Sequence, residues 1–301
     1  MDWRGRRQSS NIEDRRGESL RGGAGGAGLF MLLRFLPFLL RTRVGRIILV
    51  VGVLAFVGAR MMGIDLLPAL QGQGPAVAQS SRELTEQEQE LTEFVSVVLA
   101  DTEETWNTIF AQSGEQYREP TLVLFADRVR SACGTASAAV GPFYCPADNQ
   151  VYLDLSFFRD LERQLGAPGD FAQAYVVAHE VGHHVQNLLG IGERVRQAGQ
   201  GKSEAEINEL SVRQELQADC FAGVWAHAAN DERDLLDPGD LDEALTAASA
   251  IGDDRLQRRA GQEVVPDSFT HGSSEQRMEW FRRGFDSGNV RECDTFSASL
   301  Q

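Results

Sequence analysis

The sequence predicts an α+β fold that is mainly helical, with a small sheet and a single membrane-spanning helix ahead of the folded body. Three observations predict it. Apolar residues recur at helical spacing over long stretches, first in Leu84–Gln112 and again in Ala174–Leu188. Two short runs, Thr121–Phe125 and Val151–Leu155, have the composition of strands. A longer apolar segment, residues 47–64, follows closely spaced arginines, as membrane anchors do.

The composition is that of a globular protein with a basic amino-terminal region. Of the 301 residues, 42% are apolar and 24% are charged, which excludes a largely disordered chain. Residues 1–46 hold 10 arginines and 4 acidic residues, a net charge of +6, so the formal −15 of the whole chain leaves −21 on the remainder. An acidic body repels the phosphate backbone, and we expect no nucleic-acid partner.

Residues 1–46 are expected to form a flexible, basic tail in the cytoplasm. The opening RGRRQSSNIEDRRG and the glycine-rich run after it lack apolar periodicity. The apolar segment Leu29–Leu40 is interrupted by Arg34 and Pro37 and is too short to span a bilayer. We expect this segment to lie in the membrane interface.

Residues 47–64 are expected to be the transmembrane anchor. They approach the ~20 residues that a bilayer requires if Arg60 extends outward to the interface. By the positive-inside rule the arginines before this segment stay in the cytoplasm, which places the body on the extracytoplasmic side of the inner membrane. A signal peptide cleaved at Ala76–Ala78 is the alternative, and the long basic region before the apolar residues argues against it. The composition of residues 65–82 predicts a linker, and we expect the folded domain to cover residues 83–301.

The residue pattern in the first part of the domain predicts helices followed by a sheet. Leu84–Gln112 indicates one or two surface helices, and Pro120 ends that pattern before the strand-like run Thr121–Phe125. A turn-rich stretch separates this run from the second one, Val151–Leu155. A strand at the edge of a sheet can bind an extended peptide through its main chain, and we regard Val151–Leu155 as a candidate. Pairing on both sides inside the sheet is the alternative.

The predicted helix at Ala174–Gln186 contains an HExxH motif. His179 and His183 lie one turn apart on one face, so both imidazoles can reach a single cation while Glu180 leans over its open side. Apolar residues at helical spacing would bury the helix and hold both ligands rigidly. An amphipathic helix with incidental histidines is the alternative.

A second polar helix supplies the candidate third ligand. It is predicted to begin at Ser203 with acidic residues in its first turn, and it carries Glu215 and Asp219 on one face. Glu215 can complete a His2Glu set, which leaves a fourth position for water as in catalytic zinc sites. Asp219 can accept a hydrogen bond from a ligating imidazole. A solvated acidic stripe is the alternative.

The remaining pattern completes the domain. Gly190–Ser203 is a polar connection that could border the cleft, and Leu241–Arg259 and Ser273–Phe285 predict two more helices. His184 points roughly 100° away from the ligand face, and His227 lies far along the second helix. We leave both histidines out of the site.

Four segments together resemble a known family. They are RGRRQSSNIEDRRG, AHEVGHHVQ, ELQADCFAGVWA and FTHGSSEQRMEWFRRGF, and they are similar to the membrane-anchored bacterial family named "putative neutral zinc metallopeptidase". The resemblance covers nearly the whole chain. It implies a gluzincin-like zinc metallopeptidase body with a small edge sheet, one Zn²⁺ per chain, and hydrolysis of a protein or peptide substrate.

The same resemblance singles out His271. It precedes a helix with Arg277, as a histidine precedes an arginine-bearing helix in membrane-anchored gluzincins, where it can approach the metal. His271 is therefore a candidate oxyanion donor or reversible fourth ligand. A hydrogen-bonded loop histidine is the alternative.

The four cysteines are even in number, which suits an oxidising compartment. Cys133 and Cys145 are close enough in sequence to close a loop, which leaves Cys220 and Cys293 as the second pair. The other two connectivities, and free thiols, are the alternatives. The sequence has no CxxC spacing that would indicate a structural zinc site.

The motifs predict hydrolysis by water with Glu180 as general base, because the chain has no GxSxG nucleophile motif. One alternative is a catalytically silent, membrane-anchored scaffold that binds envelope proteins, in which Glu180 would have no purpose. Another is a zinc hydrolase of non-peptide amides, which would use the same residues.

Overall fold

The computed structural model describes residues 1–18 and 84–297. The predicted interfacial segment, transmembrane anchor and linker, at residues 29–40, 47–64 and 65–82, lie outside the described residues. Among the helices that are described, none is both long enough and apolar enough to cross a bilayer.

Within these two ranges the chain forms eight α-helices and six strands. In chain order they are β1 (Ile12–Asp14), α1 (Glu86–Gln112), β2 (Thr121–Phe125), β3 (Arg128–Ser131), β4 (Gly134–Ser137), β5 (Phe143–Cys145), β6 (Gln150–Asp154), α2 (Ser156–Arg163), α3 (Asp170–Leu188), α4 (Ile191–Ala198), α5 (Glu204–Asp231), α6 (Asp240–Ala250), α7 (Asp253–Arg259) and α8 (Ser274–Ser287). The mainly helical α+β class with a small sheet is confirmed.

The principal sheet has four strands in the order β1-β2-β6-β5. β2 and β6, the two strands predicted from sequence, pair in parallel, with Leu122 opposite Val151. β5 pairs antiparallel with the other side of β6. The strand at Val151–Leu155 is therefore inside the sheet, and the prediction that it forms a peptide-binding edge is wrong. The edge on that side is β5, a strand of three residues that carries no alternating pattern long enough to be recognised.

The first sixteen residues are part of the body. Trp3 is 5% exposed and packs edge-on against Phe94, with ring centroids 5.4 Å apart. Ser9 and Asn11 donate hydrogen bonds of 2.5 and 2.9 Å to the buried carboxylate of Glu103. β1 extends the sheet by pairing in parallel with β2. Residues 1–16 thus form one compact unit with the chain from residue 83 onward.

The prediction of a flexible tail is therefore wrong for residues 1–16. This segment is ordered by one buried tryptophan, by two polar side chains that hydrogen-bond to a buried carboxylate, and by a three-residue strand. None of these features produces a periodic pattern in a basic sequence. Because the segment packs on the body, both lie on the same side of any membrane. The prediction of a tail on the opposite side from the body is wrong for these residues as well.

The amino group of Met1 connects the first residues of two helices. It lies 3.2 Å from Asp170 Oδ1 at the start of α3 and 3.1 Å from Asp240 Oδ2 at the start of α6. Burial alone would lower the pKa of this amine, but the two carboxylates outweigh burial and raise its pKa to about 10. The ammonium also compensates a group of three carboxylates, since an oxygen of Glu243 lies within 4.8 Å of oxygens of the other two.

The predicted helices are confirmed, with one correction. α1 is a single helix with a Thr85–Glu88 capping box, and α8 begins with a Ser273–Gln276 capping box. The predicted helix Leu241–Arg259 is two helices, α6 and α7, broken at Gly252. A Cβ on Gly252 would lie 2.4 Å from the backbone nitrogen of Ser274, so the start of α8 occupies the space that a continuous helix needs. The predicted connection at residues 190–203 contains α4.

Three glycines bring the central helices into backbone contact. A Cβ on Gly182 of α3 would lie 2.9 Å from the carbonyl oxygen of Ala218 in α5. On the next crossing, a Cβ on Gly223 of α5 would lie 2.1 Å from the carbonyl oxygen of Phe281 in α8, and Gly284 of α8 approaches Cys220 equally closely. Because side chains at these points would separate the helices, the glycines set how near α3, α5 and α8 lie to one another.

Both predicted disulfides are present. Cys133 is bonded to Cys145, and Cys220 of α5 is bonded to Cys293 in the short 3-10 helix Val290–Cys293 that follows α8. The first bond ties the start of β4 to the end of β5. The second holds the carboxy-terminal segment against α5.

Candidate metal centre

Helix α3 presents the two histidines of the HExxH motif from a rigid position. Its apolar residues Tyr175, Val177, Val181 and Val185 are all buried. His179 and His183 lie on a neighbouring face, with ring centroids 4.7 Å apart. A helix held by packing on several sides fixes both imidazoles before any metal binds.

Helix α5 brings Glu215 to the same point. The predicted start is confirmed, because Ser203 and Glu206 form a capping box. The close approach of α3 and α5 at Gly182 lies one helical turn from this carboxylate. One oxygen of Glu215 and one ring nitrogen from each histidine lie within 4.8 Å of one another.

The distances between these donor atoms fit a tetrahedral zinc ion. Bonds of ~2.0–2.1 Å from zinc to nitrogen and oxygen place neighbouring ligand atoms of a tetrahedron ~3.3–3.4 Å apart. His179 Nε2 lies 3.1 Å from Glu215 Oε2, and His183 Nε2 lies 3.4 Å from Glu215 Oε1. The donor types suit zinc, each histidine nitrogen lies at about this spacing from one oxygen of the same carboxylate, and one side of the group faces a cleft.

Asp219 orients His179 from behind. Its Oδ1 lies 2.8 Å from His179 Nδ1 and accepts a 2.5 Å hydrogen bond from the hydroxyl of Tyr175. Arg277 of α8 donates to both oxygens of Asp219, at 2.8 and 2.9 Å. Since Nδ1 faces a carboxylate, it carries the proton of the neutral ring, which leaves the Nε2 lone pair directed at the site.

Burial opposes charge on these groups, and their mutual attraction overcomes it. Burial lowers the pKa of His179, but the attraction and hydrogen bond of Asp219 have the larger effect and raise it to about 9. The two histidines outweigh burial at Glu215 and hold its pKa well below the usual range. Arg277 and His179 likewise lower the pKa of Asp219. Both carboxylates are therefore anionic at neutral pH, the form that attracts a cation, and a metal ion that binds His179 Nε2 would replace the second proton that the ring otherwise holds.

Glu180 and His271 line the cleft above these donors. The cleft has a volume of about 550 Å³, and Glu180, at 8% exposed, lies on its wall beside the histidines. His271 lies in a loop that Asp253 holds by accepting hydrogen bonds from three successive backbone N–H groups, those of residues 270–272. The Asp253 carboxylate also lies 3.2 Å from His271 Nδ1 and raises the pKa of that ring. The structure thus brings His271 to the predicted cleft, and its role there stays a prediction.

The opposite wall of the cleft comes from β5 and the residues before it. Phe143 and Tyr144 of β5 line the cleft, together with Val140 and Pro142. β5 has a hydrogen-bonded neighbour only on its β6 side within the described sheet. The Cys133–Cys145 disulfide fixes the end of this strand.

The two histidines that we left out of the site lie elsewhere. His184 Nε2 lies 2.6 Å from the carbonyl oxygen of Arg118, and burial lowers the pKa of the ring to about 4. His227 Nδ1 lies 2.7 Å from the carbonyl oxygen of Phe285. Sequence reasoning missed Tyr175 and gave Arg277 only by resemblance. Tyr175 precedes His179 by four residues, a spacing that could have indicated it.

Comparison with known proteins agrees with this geometry. The family described as "Putative neutral zinc metallopeptidase" matches residues 1–296. The chain belongs to this family. The matched residues include the amino-terminal segment that packs on the body as well as the HExxH helix and its partner helix.

The chain is also similar to several bacterial proteins. It is 51% identical over 300 residues, with full coverage of both chains, to the Uncharacterized protein YpfJ of Escherichia coli (strain K12). It is 46% identical over 193 residues to the Uncharacterized protein Rv2575 of Mycobacterium tuberculosis (strain ATCC 25618 / H37Rv), covering 61% of this chain and 64% of that protein. The Uncharacterized protein Mb2605 of Mycobacterium bovis matches to the same extent. No solved structure matches the chain.

Proposed function

We propose that this protein is a zinc-dependent peptidase in which His179, His183 and Glu215 hold one Zn²⁺ and Glu180 is the general base. The observation that carries the proposal is the convergence of two imidazole nitrogens and a carboxylate, all within 4.8 Å of one another, on the wall of an open cleft. Membership of a zinc metallopeptidase family supports it independently.

The residues of the chain would divide the chemistry as follows. A zinc ion with three protein ligands acts as a Lewis acid and makes water nucleophilic near neutral pH. Glu180 accepts a proton from the attacking water as its oxygen bonds to the substrate carbonyl carbon. The carbon–nitrogen bond then breaks, and Glu180 returns the proton to the departing amine nitrogen. Asp219 holds His179 in place throughout.

We further propose that His271 stabilises the oxygen of the substrate carbonyl as negative charge develops there. Asp253 raises the pKa of this histidine, which favours the doubly protonated ring that can donate from both nitrogens. With Nδ1 directed at Asp253, the other nitrogen is available to donate a hydrogen bond into the cleft.

The substrate would be an extended peptide. β5 lines the cleft and has no further strand beside it among the described residues, so a peptide strand could add to it by main-chain hydrogen bonds. The apolar side chains of Val140 and Phe143 would contact the side chains of that peptide.

We also propose that the body works in an oxidising compartment on the extracytoplasmic side of the inner membrane. Its two disulfides support this, because structural disulfides are rare in reducing compartments. Residues 1–16 would lie in the same compartment, since they pack on the body.

The purified chain tests the proposal with two variants. Glu180→Gln should keep about one zinc per chain and lose peptide hydrolysis by ~10²–10⁴-fold, because only the base is removed. His179→Ala should lose the zinc. Glu162→Gln, at an exposed position of α2, is the matched control and should behave like the unaltered chain.

Cleavage of an unfolded protein would be measured with and without a chelator, beside metal content. Full activity in Glu180→Gln would reject the base. Zinc binding without cleavage of any peptide in a mixed library would instead favour the scaffold or an enzyme acting on a non-peptide amide.

A further inference from the structure

Gln186 contacts His183 at Nδ1, the ring nitrogen that corresponds to the one Asp219 contacts in His179. No carboxylate takes this position at His183 among the contacts that the structure describes. The Oε1 atom of Gln186 lies 2.9 Å from His183 Nδ1, and the glutamine side chain is completely buried. It follows His183 by three residues in α3, so the two side chains share a helix face. A buried amide in contact with a ring nitrogen must have all of its polar atoms satisfied or it destabilises the fold.

The other contacts of Gln186 decide how the amide is oriented. Its nitrogen lies 2.7 Å from the carbonyl oxygen of Gln214 and 3.1 Å from Gln217 Oε1. Both of these partners accept hydrogen bonds, so the NH₂ group must face them and the oxygen must face His183. His183 Nδ1 therefore carries the proton of the neutral ring, and the lone pair lies on Nε2, which points at Glu215.

The same amide connects the helices that carry different candidate ligands. Gln214 is the residue immediately before Glu215, so the bond to its carbonyl oxygen fixes the backbone of α5 next to that carboxylate. Gln217 continues the connection by donating a 2.9 Å hydrogen bond to the carbonyl oxygen of Cys293. Cys293 is in turn bonded to Cys220 of α5.

We propose that Gln186 is a positioning residue of the metal centre, which holds His183 in the Nδ1–H tautomer and keeps it in register with Glu215. Gln217 supports Gln186 from the side of the carboxy-terminal segment. This inference rests on the proposed function in that it takes His183 and Glu215 as zinc ligands.

The test is the zinc affinity of the full chain, measured by competition with a chelator. Gln186→Met keeps the length of the side chain and removes its hydrogen bonds, and it should lower zinc affinity by ~10–100-fold, the usual cost of losing a partner behind a metal ligand. Gln217→Met leaves the contacts of Gln186 with His183 and Gln214 intact and should lower it less. Gln197→Met, on exposed α4, is the matched control.

A spectroscopic readout separates positioning from folding. In the zinc-loaded, ¹⁵N-histidine-labelled chain, the His183 ring should show a protonated Nδ1 and a metal-bound Nε2, and Gln186→Met should change that signal while the signal of distant His227 is kept. This measurement on the unaltered chain stands even if Gln186→Met fails to fold. A His183 ring with an unprotonated Nδ1 would overturn the proposal.

Failure here is distinguishable from failure of the proposed function. If the unaltered chain binds zinc and cleaves peptides, but Gln186→Met has the same zinc affinity as Gln197→Met, the positioning role is wrong and the peptidase stands. If the unaltered chain binds no zinc, the proposed function is wrong, and the inference fails with it as a statement about a metal centre.

Discussion

At the scale of single residues, the site depends on a charge pair that water does not reach. Arg277 is 2% exposed and Asp219 is 0% exposed, and the arginine also donates to Tyr175, whose hydroxyl donates to the same carboxylate. A buried carboxylate that loses its cation becomes an uncompensated charge, which costs much more than the loss of a surface ion pair. Arg277 thus keeps Asp219 anionic and fixed behind His179.

We therefore expect Arg277→Met to lower the free energy of unfolding by about 3–5 kcal/mol. Urea unfolding of the zinc-free chain at neutral pH would measure it without a contribution from metal binding. Arg282→Met, at an exposed position of the same helix, should change stability by no more than about 0.5 kcal/mol. Equal stability of the two variants would show that Arg277 does not hold Asp219.

The spacing of residues predicted the candidate donors and Asp219 but not the other groups behind the histidines. His179, His183, Glu215 and Asp219 stand in motifs of five residues, where helical geometry alone brings side chains together. Gln186 is also three residues from its histidine, yet its significance depends on acceptors from α5. No local pattern reveals such contacts, because they arise only when two helices pack.

At the scale of elements, glycines determine whether the ligands meet. Gly182 lies between the two histidines, at the point where α3 touches the backbone of α5. Alanine is the better helix former, so the glycine is explained by close packing and not by helix stability. The crossing of α5 with α8 at Gly223 and Gly284 then brings Arg277 within reach of Asp219.

Gly182→Ala should force α3 and α5 apart. We expect it to lower stability by about 1–3 kcal/mol through overpacking and to weaken zinc binding, since Glu215 moves away from both histidines. Gly199→Ala is the matched control, because a Cβ at Gly199 meets no atom closer than 3.5 Å. Chelator competition and urea unfolding would be compared for the two variants. Unchanged zinc affinity in Gly182→Ala would contradict the role of this contact.

The long helices and the two five-residue strands could be predicted from the sequence, and the three-residue strands could not. α1, α3, α5 and α8 extend over several turns, so their apolar spacing identifies them, and in α5 the cap at Ser203 marks the start as well. β1 and β5 have three residues each. β1 owes its conformation to β2, which lies far along the chain, and β5 owes its conformation to the adjacent strand β6. β6 is interior because β5 pairs with the side that β2 leaves free, and since β5 was not recognised, the peptide-binding edge was assigned to the wrong strand.

At the scale of the whole molecule, the amino-terminal segment and the body form one folded unit. The charge pattern predicted a tail separated from the body, since ten arginines in residues 1–46 suggest a cytoplasmic region. Burial of Trp3 and the pairing of β1 with β2 contradict that separation. Composition reports average behaviour, whereas a few specific contacts decide where a short segment lies.

Single cysteines would test this arrangement in protoplasts. Glu13→Cys in β1 and Glu162→Cys in α2 both replace exposed residues, and a membrane-impermeant maleimide should label both to the same extent before lysis. Lysed protoplasts give the full labelling of each site. Labelling of only one position before lysis would contradict a shared compartment, and protection of both would contradict the extracytoplasmic location alone.

The central claim is that His179, His183 and Glu215 bind one zinc ion. X-ray absorption at the zinc edge of the loaded chain tests it most directly, with His183→Ala as the comparison. The account predicts one zinc per chain with two imidazole nitrogens and carboxylate oxygen at ~2.0–2.1 Å, and loss of imidazole scattering in the variant. A shell of oxygens alone, as Asp170, Asp240 and Glu243 would give, or no bound zinc, would contradict it.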